Sequence, residues 1–455
     1  MASGESVLGT TQLRAGFARR LSDMYGGEVP AYPTLVEVAH EVNAEVLARE
    51  GSAAERLGDI DRVTAERHGA IRVGTPTELA QVGRLFAAMG MHPVGCYDLR
   101  DAQPAPLPVV STAFRPVDEG ELAANPFRVF TSVLVPEDRR FFDADLGARV
   151  TTFLAGRELF PPDLLDLADR AAAEGGLAAD DAEHFLELAA SSFALSSDPI
   201  ERSWYDELAR VSGVAADIAG VGSTHLNHLT PRVLDIDLLY RRMQERGITM
   251  IDEIQGPPRW DGPDLLLRQT SFRALAETRA MVDTDGTVAA GELRVRFGEV
   301  EARGIAVTPA GRDLVDPLPA DASAWAASVP ATERELARSG LAWFTAAPGP
   351  DAPDRTRSGA RPPDDRDALV DEGWVRLEPV VYEDFLPRSA AGIFRSNLAE
   401  DGAADTSATG VVRDEDWLSG ALGRAVRDPM ALYAAQVEAS WERTLAELGL
   451  PRVPA

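Results

Sequence analysis

The chain holds only six histidines in 455 residues, and two of them, His225 and His228, stand three apart in the stretch HLNHLTPRVLDID. Neutral imidazole is the commonest side-chain metal ligand, so a close pair in so histidine-poor a chain asks which of the two coordinates. A third histidine, His68, opens ERHGAIRV, and two carboxylates, Glu299 and Glu301, lie in RFGEVEAR. Two imidazoles and one carboxylate are the ligand set of iron sites that keep positions open for substrate and dioxygen. Alternate residues of a strand face the same side. Glu66, His68, Ala70 and Arg72 therefore share one face of the first stretch, and Val295, Phe297, Glu299, Glu301, Arg303, Ile305 and Val307 share one face of the last. Carboxylates threaded among inward-facing apolar residues need a buried partner, and a metal ion is one. Arg72 lies four residues from His68, about 13 Å at roughly 3.3 Å per residue, and its planar fork suits a carboxylate. His40, His92 and His184 read as ordinary structural residues.

The elements that must position these side chains repeat. ERHGAIRV reads as a strand, TPTELAQVGRLFAAMG as a helix opened by Thr75 and Pro76, and HPVGCYDL, PLPVVSTAFRP and PFRVFTSVL as three strands. The same β-α-β-β-β order returns in STHLNHL, PRVLDIDLLYRRMQERG opened by Thr230 and Pro231, ITMIDEI, DLLLRQTSF and ELRVRFGEVEARGIAVT. An internal repeat outranks any local motif as an indication of architecture. The expected organisation is α+β, with a helical segment over 1–60, a first unit over 61–140, an acidic helical insertion over 141–215, a second unit over 216–310 and a C-terminal helical region over 311–455. Within the last, the Pro/Asp/Arg-rich stretch 346–367 reads as a mobile linker, and VRLEPVVYEDFLP as an added strand or a cover over the mouth of a site. Spacing leaves two choices open, His225 against His228 and Glu299 against Glu301. Aligning the units on Thr75-Pro76 and Thr230-Pro231 sets His68 opposite Ser223, whose parity favours His225.

Composition narrows the chemistry. A net charge of −28 argues against nucleic acid, because phosphate binding needs a basic surface. All 45 basic residues are arginine, which removes lysine Schiff bases, pyridoxal phosphate enzymes and the P-loop lysine. A single cysteine, Cys96, excludes an internal disulfide framework and any multi-thiolate metal site. The first twenty residues hold no apolar signal core and no later run is long enough to span a bilayer, so a soluble, cytoplasmic protein is expected.

The stretches ERHGAIRVGTPTEL, HLNHLTPRVLDID, LLRQTSF, RFGEVEARGIAVTP and VYEDFLPRSAAGIF resemble the iron-dependent 2-oxoadipate dioxygenase/decarboxylases over most of the chain, from about residue 10 to 445. EVEAR is also similar to the EVIQR-type strand that supplies the carboxylate ligand of hydroxyphenylpyruvate dioxygenases. The resemblance implies the vicinal oxygen chelate fold, two β-α-β-β-β units forming a partly closed barrel around a metal. It implies Fe(II) held by His68, His228 and Glu299, with His225 beside the ligands or facing the substrate. Arg72 takes the arginine's role on the far carboxylate of the substrate. Arg388, in LPRSAAG, stands where the family carries a small apolar residue whose backbone touches substrate. The implied reaction converts 2-oxoadipate and O2 to 2-hydroxyglutarate and CO2 in lysine breakdown, the 2-oxo acid being its own electron source. Rivals on the same fold are a metal-dependent isomerase, a ring-cleaving dioxygenase and a non-catalytic small-molecule binder; oxygen uptake with carbon dioxide release separates them.

Overall fold

The computed structural model describes residues 6–102, 106–274, 276–294, 296–357, 359–386, 393, 397, 407–408 and 410–450. Two long helices open the chain, α1 (Thr10–Glu28) and α2 (Ala31–Glu50), with Leu13, Phe17 and Leu21 on one and Leu35, Val38 and Val42 on the other buried at helical spacing. Next come β1 (Arg67–Val73), α3 (Pro76–Ala87), β2 (His92–Asp98), β3 (Val109–Arg115) and β4 (Arg128–Leu134). Helix α3 starts where it does because Thr75 and Glu78 form a capping box: the Thr75 hydroxyl accepts from Glu78 N at 3.1 Å and Glu78 Oε2 accepts from Thr75 N at 3.0 Å.

The helices α4 (Ala144–Ala155), α5 (Pro162–Glu174), α6 (Ala179–Ser191), α7 (Arg202–Ala209) and α8 (Gly213–Ala219) follow. Acidic outside, α5 and α6 are apolar inside. Leu164, Leu165 and Phe185 join α1, α2 and the odd-numbered strand residues Ile71, Val73, Val129 and Val133 in one core. The even-numbered face of β1, carrying His68 and Arg72, is thus turned away from that core.

Strand β5 (Leu226–Pro231) joins the first four to make a five-stranded sheet in the order β2-β3-β4-β1-β5, with β1 parallel to β4 and antiparallel to β5. The two halves of the chain therefore meet as hydrogen-bonded neighbours. The following helix, α9 (Ile236–Glu245), opens later than Thr230-Pro231 suggests. Thr230 has Val233 three residues on, where a capping box needs a carboxylate or amide, so Thr230 and Pro231 end β5, and Asp235 caps α9 by accepting from Leu238 N at 2.9 Å. ITMIDEI does not form a strand either: among the described residues it makes an isolated bridge, Met250 to Phe272. The strand within DLLLRQTSF is β6 (Leu267–Ser271). A hairpin that the reading of the repeat did not include, β7 (Glu277–Val282) and β8 (Val288–Leu293), turns through Gly286 at φ 82°. Strand β9 (Glu299–Arg303) then pairs antiparallel with β6, Glu299 opposite Ser271 and Glu301 opposite Gln269, and touches the end of β5 through a bridge between Arg232 and Glu301. No closed barrel of hydrogen-bonded strands forms among the described residues.

Beyond 311, shorter helices precede the pair β10 (Phe344–Pro348) and β11 (Val375–Pro379) and a closing helix, α10 (Pro429–Glu447). The stretch 346–367 is thus not a plain linker: it holds the end of β10 and the helix Ala352–Arg357. Backbone bonding overrides its loop-like composition, for Ala346 N donates to Ser440 Oγ at 2.9 Å and Ala346 O accepts from Thr444 Oγ1 at 2.9 Å. Among the described residues no helix is long and apolar enough to cross a membrane.

Candidate metal centre

The register of β1 on β5 sets Ala70 opposite His228 and His68 opposite Thr230, so the two imidazoles project from the same face of adjacent strands. Their ring centroids lie 5.2 Å apart with planes at 88°. Strand β9 brings the third group. Gly298, just before it, lets the chain run against the Phe272 ring, which would lie 1.9 Å from any Cβ placed there. Glu299 Oε1 then lies 3.5 Å from His68 Nε2, and Oε2 3.5 Å from His228 Nδ1. One ligand atom from each of His68, His228 and Glu299 falls within 4.8 Å of the others, and all three residues are buried.

The surroundings suit a cation. Burial and then the charge of Glu301 push the Glu299 carboxyl well above the usual carboxylate range, Arg303 only partly opposing them. The Gln269 amide donates to Glu299. Burial, then His68 and Arg72, holds His228 well below the ordinary histidine value, and burial lowers His68 despite Glu301. Both rings are therefore neutral near pH 7, the form that binds metal. A buried carboxylate that is costly to ionise without a cation, between two neutral imidazoles, fits a divalent ion, and the three residues form a possible metal site. Phe297 stacks on His228 (5.3 Å, 18°) and Phe385 stands edge-on to His68 (5.0 Å, 90°). Phe130, Gln269, Phe385 and Ile393 also line the small cavity onto which the three open. A larger groove of about 630 Å³, bordered by Arg56, Glu119, Arg376 and Glu378, has no histidine in its lining among the described residues.

His225 is not part of this cluster. Its Nε2 lies 3.2 Å from Asp217 Oδ1 and 3.2 Å from Asn227 Nδ2, while Asp217 Oδ2 accepts from Asn227 Nδ2 at 2.9 Å and from Arg72 Nη1. Arg72, 4% exposed, is thus clamped by an aspartate from α8, a helix that straddles the boundary expected at 215/216 between the insertion and the second unit. No sequence signal pointed to Asp217. Arg388 lies outside the described residues. Glu301 falls outside the cluster: it lies 2.8 Å from His68 Nδ1, on the far side of the ring, with its other oxygen taken by Arg303 Nε at 2.7 Å.

Behind His68 runs a buried network of charge. Glu66 meets Arg128 at 2.8 Å, Arg232 at 2.9 Å and Arg303 at 3.1 Å, and Glu383, from the segment after β11, meets Arg62 and Arg128. Burial would raise the Glu383 carboxyl, but Arg62 and Arg128 outweigh it and hold it low; His225 and Arg72 do the same for Asp217. A carboxylate depressed in the folded state stabilises it above the unfolded value, about 3.9 for Asp and 4.3 for Glu, and that contribution is lost as pH falls through the folded value. The unfolding temperature should therefore drop as pH is lowered from about 5 to about 3. Calorimetry over that window checks this, and a flat profile would count against the network's charged state.

A model of the 2-oxoadipate dioxygenase/decarboxylase family matches residues 17–397. The chain belongs to this family. Among 2-oxoadipate dioxygenase/decarboxylases, one from Mycobacterium tuberculosis is 60% identical over 431 residues, covering 94% of this chain and 97% of its own. One from Pseudomonas putida is 41% identical over 463 residues, covering 96% and 97%. The crystal structure of the hydroxyglutarate synthase from Pseudomonas putida in complex with 2-oxoadipate superposes with a TM-score of 0.83 at 39% identity, covering 98% of this chain and 99% of that one. A putative glyoxalase superfamily protein from Ralstonia eutropha, 19% identical with a TM-score of 0.50, covers 67% of this chain and 86% of its own, a likeness of fold alone.

Proposed function

We propose that this chain is an Fe(II)-dependent dioxygenase/decarboxylase that converts 2-oxoadipate and O2 to 2-hydroxyglutarate and CO2. The observation that carries this reading is the end-to-end likeness to the hydroxyglutarate synthase whose structure holds 2-oxoadipate; the His68, His228 and Glu299 cluster supplies a site at which the chemistry can occur. The reaction balances without another reductant, since both oxygen atoms and the six carbons of the 2-oxo diacid appear in the five-carbon hydroxy diacid and carbon dioxide. In the same reading the two halves are vicinal oxygen chelate units opening around the metal. The β-α-β-β-β order of β1 to β4, the pairing of β1 with β5 and the likeness of fold to the glyoxalase superfamily protein support it.

Fe(II), when bound, polarises the 2-oxo carbonyl and makes dioxygen reactive toward it. The protein's own work is binding, orientation and exclusion of water. His68, His228 and Glu299 would hold the ion, and three protein donors would leave room beside it for the 2-oxo acid and O2. Phe130, Phe297, Phe385 and Ile393 wall the site with apolar surface, which strengthens electrostatic interactions inside. Arg72 receives the far carboxylate, and Asp217, steadied by His225 and Asn227, orients the guanidinium.

The test is oxygen consumption by protein reconstituted anaerobically with Fe(II) and given 2-oxoadipate in aerated buffer, the product identified by mass. One O2 consumed per 2-hydroxyglutarate formed is the expected result. Bound metal with no oxygen uptake would overturn the reaction and direct the search to non-redox chemistry on the same fold.

A further inference from the structure

Glu299 and Glu301 stand two residues apart on one face of β9, both buried, yet they have opposite company. Glu299 has an amide and two imidazoles at its oxygens. Glu301 has guanidinium groups: Arg303 Nε at 2.7 Å on Oε1 and Arg128 Nη1 at 3.6 Å. Its remaining oxygen, Oε2, lies 2.8 Å from His68 Nδ1, while the opposite nitrogen of that ring, Nε2, faces Glu299 Oε1 at 3.5 Å. The imidazole of His68 is thus held between two carboxylates, one at each nitrogen, with Phe385 edge-on against it. Arg303 is itself fixed, donating from Nη1 to Tyr382 O at 2.6 Å and Asp384 O at 3.2 Å.

We infer that Glu301 is a positioning residue, accepting the Nδ1–H of His68 so that the imidazole presents its unprotonated Nε2 to the metal. The inference rests on the metal reading above. A carboxylate behind a coordinating histidine fixes the ring's tautomer and rotation and raises the basicity of the coordinating nitrogen. The arginines give the two glutamates separate tasks. Neutralised from behind by Arg303 and Arg128, Glu301 is kept as an acceptor for His68, while Glu299, with no guanidinium against it in the described structure, is left for the cation. This division also answers how two carboxylates of the same parity serve one centre without competing for it.

The experiment is an anaerobic titration with Co(II), followed by its visible absorption, of the wild type, Glu301→Gln and Glu299→Gln, together with thermal unfolding of each apoprotein. The wild type is expected to bind one equivalent, and Glu299→Gln to lose it. Glu301→Gln should bind about 10- to 100-fold more weakly when titrated well below the unfolding temperatures of both apoproteins, a loss of affinity in the folded protein that a purely structural role would not produce. Wild-type affinity in Glu301→Gln overturns the inference, as does loss of Co(II) in Glu301→Gln with retention in Glu299→Gln, which would make Glu301 the ligand. Should Glu301→Gln fail to fold, long-range ¹⁵N–¹H correlation on histidine-labelled wild-type apoprotein decides instead: a proton on Nδ1 of His68 supports the assignment and one on Nε2 overturns it. A wild type that takes up no Co(II) sinks the metal reading itself, an outcome distinct from a normal wild type with an unaffected Glu301→Gln.

Discussion

His228→Ala should abolish stoichiometric metal binding and lower 2-oxoadipate turnover by on the order of 10³ or more, since Lewis-acid stabilisation is worth several kcal/mol and each tenfold in rate is about 1.36 kcal/mol. His225→Ala should leave the metal in place. The contrast matters because the two histidines are three residues apart and both buried, yet one faces Glu299 and the other Asp217. Metal analysis of the purified variants and oxygen uptake read the two outcomes directly. Retention of metal by His228→Ala with loss in His225→Ala would reverse the assignment of the pair.

The second large effect concerns the far end of the substrate. Replacing Arg72 alone would strand Asp217, buried and charged, at a cost of about 3–5 kcal/mol in stability, so the informative variant is Arg72→Met combined with Asp217→Asn. Two charge-assisted hydrogen bonds of about 1.5–3 kcal/mol each correspond to a loss of roughly 10² to 10⁴ in kcat/KM for 2-oxoadipate. A 2-oxo acid of the same length with no second carboxylate should lose less than about threefold, because it never drew on the guanidinium. Parallel kinetics on the two substrates measure this selectivity. Equal losses on both would show that Arg72 acts through the fold and does not grip the diacid. Its five-donor fork is able to serve the protein's own carboxylate and a substrate's together, which is why the pairing with Asp217 is compatible with the role.

Much of this was legible in the residues. Strand parity placed His68 and Arg72 on one face and Glu299 and Glu301 on another, and the structure buries all four. Spacing left His225 against His228 open, with parity leaning to His225, for a specific reason. Thr75-Pro76 and Thr230-Pro231 look like the same helix start, but only the first has the glutamate three residues on that closes a capping box. With the true caps, Thr75 and Asp235, aligned, the offset is 160, and the same 160 separates His68 from His228. The repeat thus pairs the two histidines once the helix ends are read by their hydrogen bonds. Other features left no local trace. Asp217 reaches Arg72 from a short helix that carries no motif, and Glu383 enters the buried network from 255 residues beyond Arg128. Such contacts come from tertiary packing, which periodicity does not encode. The β7–β8 hairpin was hidden by a weak pattern, its outer strand Val288–Leu293 being largely exposed.

The hydrogen-bonded meeting of β1 with β5 also constrains how the molecule comes into being. His68 and Glu299 are separated by about 230 residues, which take on the order of 10–50 s to synthesise at 5–20 residues per second. Until β5 is made, about 160 residues after His68, β1 has β4 on one side and nothing on the other, an open edge with the charged Glu66 and Arg72 beside it. Charged residues on an edge resist pairing with a stray strand, so the groups that later serve the centre guard the nascent sheet first. The ligand set is completed only when β9 arrives, late in the chain, and ion capture is therefore tied to the last stages of folding.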